Sequence, residues 1–304
     1  MNEFGGGLKA RMWFMAAVLV ALTAGCGSRD EIFGASGGAG GAGGAGVGPS
    51  LGAATGLAGL GGGSAGMTNT GIQTQINNGD IGTIATATSS ITGFHDSNGD
   101  FYTEVVGTNE GAVSGRIFTC ALSSAGPTSG TVNAASCALA TQARLDAEAA
   151  YNALVAKPTT AVAVANLSGL TLAPGVYTFA STVLIQNGTV DPAGDLTLDG
   201  QGNANALWVF QVGTALTVGG PGAAFPRSVK CINGCQPKNV FWAVGSFATI
   251  NAGGGGTMVG NIISSAGASF STAALTTIVT LEGRVLSLVG PVTLNDTVIN
   301  VPAP

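Results

Sequence analysis

Between Asn239 and Asn300 the chain says nearly the same word three times: Ala248-Thr249-Ile250-Asn251, Ala268-Ser269-Phe270-Ser271 and Val292-Thr293-Leu294-Asn295. Each alternates small hydroxyl, large apolar and small polar residues, and strand side chains point to opposite faces with period two. The large residue therefore faces inward and its two polar flanks face outward. The words recur after 20 residues (249 to 269) and then 24 (269 to 293), a spacing that suits one coil of a β-solenoid and is far too long for hairpins. If the coils stack, Thr249, Ser269 and Thr293 form one outward column, and Asn251, Ser271 and Asn295 form a second.

The rest of the chain after Pro158 reads as strand and turn. Residues 169–179, 182–185 and 195–200 carry short apolar runs, and Leu196-Thr197-Leu198-Asp199 repeats the outward Thr and outward polar pattern. This extends the candidate columns by Thr197, Asp199 and Thr217. Leu207–Val212 and Asn239–Val244 are apolar on both faces, as strands covered on both sides must be. Only 8% of the 304 residues are charged, against roughly 25% in an ordinary globular protein, so little material is left for a polar catalytic centre. Ten Lys and Arg against fifteen Asp and Glu argue against nucleic acid as a partner, which needs a clustered basic surface.

Residues 1–25 have the form of an export signal, with Lys9 and Arg11 ahead of an apolar run, Met12 to Leu22, too short to span a bilayer as a helix. The run ends Leu22-Thr23-Ala24-Gly25-Cys26, which resembles a bacterial lipobox with Cys26 as the acylated residue. An ordinary secretory signal in which Cys26 is incidental is the alternative. Gly27 lacks the Asp associated with inner-membrane retention, so an outer-membrane or cell-surface lipoprotein is expected. Residues 26–66 are dominated by Gly and Ala and read as a flexible tether, because such a run cannot bury enough apolar surface to offset its chain entropy. The pattern G-x-S-x-G at 62–66 lies inside it, without the strand and helix that a nucleophile elbow requires.

The folded domain is expected over 67–304. Residues 93–136 lack clear periodicity and read as a cap insertion. His95 to Asp100 fits an Asx turn better than a calcium loop, since Phe101 and Gly107 stand where the EF-hand needs Gly and Glu. Residues 139–156 form the one convincing helix of the mature chain, with Leu139, Ala143, Ala147, Ala150, Tyr151 and Leu154 along one side and Pro158 as a stop. Arg144, Asp146 and Glu148 read as its solvated face. With Cys26 set aside, proximity favours disulfides Cys120–Cys137 and Cys231–Cys235, and the spacings do not suit a zinc site.

Several segments together resemble the microbial ice-binding-like proteins. They are TNTGIQTQINNGDIG at 68–82, the Ala-rich helix, GVYTF at 175–179, LTLDGQGNANALWVFQVG at 196–213, NVFWAVGS at 239–246, GNIIS at 260–264 and GRVLSLVGPVTLNDTVI at 283–299. The resemblance runs from about Thr68 to the end with no motif out of order. It implies a right-handed discontinuous β-solenoid, triangular in section, with one long helix along a face and a cap ahead of that helix. It also implies ice as the partner, bound by the flat face opposite the helix-bearing side, without catalysis or cofactor; separately, a monomer without a metal site is expected. The candidate face is Thr197, Thr217, Thr249, Asn251, Ser269, Ser271, Thr293 and Asn295.

Two other classes fit the same residues. A surface adhesin anchored through its lipid and binding extracellular polysaccharide would use the same tether and fold. A polysaccharide-cleaving solenoid would need clustered carboxylates, and Asp191, Asp195 and Asp199 are the only close group, with Asp191 and Asp195 better read as turn residues beside Pro192 and Gly194. His95 has no partner visible in the sequence.

Overall fold

A computed structural model describes residues 47–303, apart from residues 64, 187–192, 221–225 and 273. The expected signal, Cys26, the first part of the expected tether and Asp191 lie outside the described residues. Each circuit of the chain crosses three faces, so the fold is a mainly β solenoid with one helix. The helix face stacks Gly175–Phe179, Trp208–Val212 and Val240–Val244 in parallel register. The flat face is a seven-stranded sheet of Val183–Ile185, Leu216–Val218, Phe247–Ile250, Gly267–Phe270, Val292–Leu294, Met67–Asn69 and Ile91–Thr92. The third face begins with Thr171–Leu172, Leu196–Asp199 and Val229–Ile232.

Two longer strands, Thr257–Ser264 and Val279–Ser287, run from the third face onto the helix face around a shared corner at Gly260 and Gly283. A Cβ on Gly283 would lie 1.9 Å from the Gly260 carbonyl oxygen, so the two strands can fold over that edge together only with glycine there. The stack is discontinuous in sequence. The N-terminal coil packs against the C-terminal one, pairing Gly59 with Val285, Thr68 with Thr293 and Gln75 with Val298.

The interior is filled by the inward residues of every strand. Tyr177, Phe210 and Trp242 stack along it, with ring centroids 5.5 and 3.9 Å apart. The buried indole N–H groups of Trp208 and Trp242 donate to the carbonyls of Leu172 and Val259, which removes the cost of burying them.

The helix spans Ala134–Val155, five residues earlier than the sequence pattern suggests, because Asn133 supplies an N-cap by accepting from the Ser136 N–H. Ala140, Ala143, Ala147, Ala150 and Leu154 are its buried residues, and the last four pack on Leu60, Val176, Val209, Phe241, Ile263 and Leu286. Leu139 is not part of that stripe and is 48% exposed, its place being taken by Ala140. Alanine lets the helix lie close to the sheet, which covers the outer side of the strands that are apolar on both faces. Gln211 fixes the C-terminal end by donating to the carbonyls of Leu154 and Lys157.

The helix charges do more than face solvent. Arg144 pairs with Glu148 and donates to the Leu288 carbonyl, and Asp146 accepts from the Ala53 N–H.

The tether expected over 26–66 does not hold in the described part of that range: Gly52–Gly56 is a short 3-10 helix, and Leu57–Gly61 is a fully buried strand between Val279–Ser287 and Asp80–Thr83. Its Gly and Ala are demanded by space, since a Cβ on Gly59 would sit 2.4 Å from the Met67 methyl. Leu51, Leu57 and Leu60 anchor it beneath the helix. Arg284, 3% exposed, closes this seam by donating to the carbonyls of Thr55 and Pro302 and to the Asn261 side chain.

In the expected cap, residues 93–136, two strands continue the stack: Gly111–Val113 pairs with Thr74–Asn77 and Ile117–Thr119 with Asp80–Thr83. They form the terminal coil, closed by the antiparallel pair Phe94–Asp96 and Phe101–Tyr102. Asp96 makes the Asx turn by accepting from the Asn98 N–H, and His95 finds a partner in Glu104 at 2.7 Å. Cys120–Cys137 ties this coil to the helix, and Cys231–Cys235 closes a loop after the third-face strand.

Candidate functional site

On the flat face, one residue from each of seven strands falls into a single register: Leu184, Thr217, Thr249, Ser269, Thr293, Thr68 and Thr92. Neighbouring strands in such a sheet are about 4.8 Å apart, so the column is about 29 Å long. Every one of its side chains lies between two buried residues and is itself partly exposed. The hydroxyls of Thr68, Thr217, Thr249, Ser269 and Thr293 make no hydrogen bond among the described residues, whereas Thr92 turns back to the Ser89 carbonyl. Five hydroxyls therefore face solvent from one rigid line. Threonine holds χ1 stiffly and offers a methyl and a hydroxyl side by side.

The column beside it, two positions earlier along each strand, is Thr182, Ala215, Phe247, Gly267, Pro291, Gly66 and Ser90. It carries small or apolar residues and no charge. Together the two columns make a surface with no group that holds its own hydration tightly.

The sequence-expected second column lies elsewhere. Asn251, Ser271 and Asn295 are 0%, 8% and 3% exposed, so they are corner residues and not outward ones. Period two fails because the strand ends at Ile250, Phe270 and Leu294, and the chain then turns through left-handed backbone at Asn251 (φ 46°), Ser271 (φ 59°) and Asp296 (φ 42°). Asparagine and aspartate tolerate that conformation better than most residues. Their side chains are spent internally: Asn251 accepts from the Arg227 N–H and donates to its carbonyl, and Asn295 donates to the Leu275 carbonyl.

Thr197 and Asp199 belong to the third face. Thr197 pairs with Thr171 and Lys230, and Lys230 forms an ion pair with Asp195 at 2.9 Å. The partly exposed Asp199 carboxyl is held below its usual range by the Gln201 N–H and then by Asn233. That face carries charges and amides, including the linked side chains Asn77, Asn300 and Glu282, so it lacks the uniformity of the flat face.

Thr68 and Thr92 join the column without having been foreseen. Met67-Thr68-Asn69 has the same alternation, but Asn69 occupies an inward position where the other words have Ile, Phe or Leu. It is fully buried and donates to the Gly71 and Gly93 carbonyls while accepting from Thr74, which hides the pattern from a hydropathy reading.

No cluster of three or more His, Cys, Asp or Glu that could hold a metal occurs among the described residues. The family model described as ice-binding-like matches residues 62–300. The chain is 39% identical over 159 residues to an ice-binding protein of Nostoc sp. (strain HG1), covering 52% of each chain. It is 35% identical over 158 residues to ice-binding protein 1 of Shewanella frigidimarina (strain NCIMB 400), covering 51% of this chain and 16% of that one. The matched stretch thus spans about half of the first relative and less of the second. Among solved structures, a domain of the Shewanella frigidimarina ice-binding protein 1 aligns with TM-score 0.65 and 26% identity over 85% of this chain and 99% of its own. The ice-binding protein of the Antarctic ascomycete Antarctomyces psychrotrophicus aligns with TM-score 0.62 and 29% identity, over 85% of this chain and all of its own. With the model spanning nearly the whole described solenoid, the chain belongs to the ice-binding-like family.

Proposed function

We propose that the protein binds ice crystals through the flat face, slowing ice growth and recrystallisation or holding a cell to ice. The observation that carries this is the in-register column of five solvent-facing hydroxyls on a sheet whose inner side is packed into the core. Hydroxyls and methyls spaced about 4.8 Å along the stack form a grid that can order water before contact and merge it with a crystal surface. No side-chain movement is required, so little conformational entropy is lost on adsorption. The reading is supported by the names of the relatives and by the absence of any charge in the two columns. It involves neither catalysis nor a cofactor.

The two disulfides suit an exported protein. We take Cys26 as a lipid attachment site and the cell surface, through the outer membrane, as the location; mass spectrometry of the mature amino terminus tests this, and an unmodified terminus at another residue would remove the anchor. For the binding itself, Thr249→Tyr and Thr293→Tyr place bulk in the column without touching the core. Ice-affinity partitioning and thermal hysteresis should fall to background in the double variant. Unchanged values would exclude the face, and partitioning with glycans in place of ice would favour a polysaccharide adhesin.

A further inference from the structure

The flat face is not equally flat along its length. In the flanking column, Ala215, Gly267, Pro291, Gly66 and Ser90 are small or compact, and Phe247 is the one large ring among them. Phe247 points to the same side as Thr249, two residues on, and its ring lies across the next strand: a Cβ on Gly267 would sit 2.8 Å from the ring's Cε2. A ring laid on a glycine lifts the surface by the contact thickness of carbon, about 3.5 Å. That step falls beside Ser269 and separates Thr249 and Thr217 from Thr293 and Thr68. Beyond Thr217 the hydroxyl column itself stops, because Leu184 occupies the next place.

Resting on the reading of this face as the ice-binding surface, we infer that Phe247 limits the strength of adsorption. The working patch is then the pair Thr293 and Thr68 with Pro291 and Gly66 at their side. This patch is built from the two ends of the chain, since Thr293 comes from the last coil and Thr68 from the first, joined in register across the seam. Rigid crystals contact only the highest coplanar points of a surface, so a ring step divides the grid into two parts that cannot both lie against one plane.

The test compares Phe247→Thr, Thr68→Tyr and Thr217→Tyr in the full-length chain, each checked for an unchanged melting curve. Removing the step extends the uninterrupted grid from two strands to about five at 4.8 Å spacing, so Phe247→Thr should raise thermal hysteresis by roughly twofold or more. Thr68→Tyr should abolish it, and Thr217→Tyr, on the far side of the step, should lower it by less than Thr68→Tyr does. Unchanged or lower hysteresis for Phe247→Thr overturns the inference, as does a loss in Thr217→Tyr equal to that in Thr68→Tyr. If the unsubstituted protein does not partition into ice at all, the functional reading of the face fails first, and the two failures are therefore distinct.

Discussion

At the scale of single residues, the corner between the flat and third faces shows how one backbone angle decides whether a side chain is a ligand or a strut. Ser271 sits at φ 59° with its hydroxyl buried and without a hydrogen-bond partner. Left-handed backbone costs a residue with a Cβ about 1–2 kcal/mol, and glycine avoids that while adding about 0.5–1 kcal/mol of chain entropy to the unfolded state. A buried hydroxyl without a partner adds a further penalty. Ser271→Gly should therefore stabilise the fold by about 1 kcal/mol, which for a domain of this size raises Tm by about 2–4 °C. Calorimetry measures it, and ice partitioning should not change, because Ser271 is not on the exposed surface. A fall in ice affinity with an intact fold would return Ser271 to the binding face. The same turn geometry explains why the outward column of Thr249, Ser269 and Thr293 was legible from spacing, while its supposed companion Asn251, Ser271 and Asn295 was not. Period two holds within a strand and stops where the strand ends, at Ile250, Phe270 and Leu294.

At the scale of elements, the helix and the paired apolar strands could be read from the sequence because each carries its burial in a local pattern. Ala143, Ala147 and Ala150 mark the helix stripe, and Val209 and Phe241 mark strands covered on their outer side. Leu57–Gly61 could not be read, because its burial is dictated by distant partners. Its five residues are Leu-Ala-Gly-Leu-Gly, indistinguishable in composition from the Gly- and Ala-rich chain before it, and only the space beside Met67 and the edges of Asp80–Thr83 and Val279–Ser287 make it a strand. A chain shortened to start at Met67 would leave both of those edges unpaired and remove Leu51, Ala54, Leu57 and Leu60 from the cluster under the helix. Burying a large aliphatic side chain contributes about 1.5–3 kcal/mol, so losing three leucines exceeds much of a typical domain's net stability of about 5–15 kcal/mol. The shortened chain should lose its cooperative thermal transition, whereas one beginning at Val47 should keep it. Circular dichroism melting of the two distinguishes them, and equal Tm values would show that the strand is dispensable.

At the scale of the whole molecule, the three faces divide the work among themselves. One is closed by the helix, one carries charges and amides, and one is left bare, regular and uncharged. Where the described chain begins matters to that division. The Val47 carbonyl accepts from the Lys157 ammonium just past the helix, and Gly48 lies against the Phe241 ring on the helix face. The chain thus joins the solenoid on the helix side, and a support attached upstream of Val47 does not begin from the flat face. Protein biotinylated at its amino terminus and captured on streptavidin beads should therefore make the beads adhere to a growing ice front. Protein captured through a single biotin on Thr249→Cys should not, because the support then covers the hydroxyl column. Equal adhesion in the two orientations would mean that ice contact is made on another face. Adhesion only in the second would place it on the helix side.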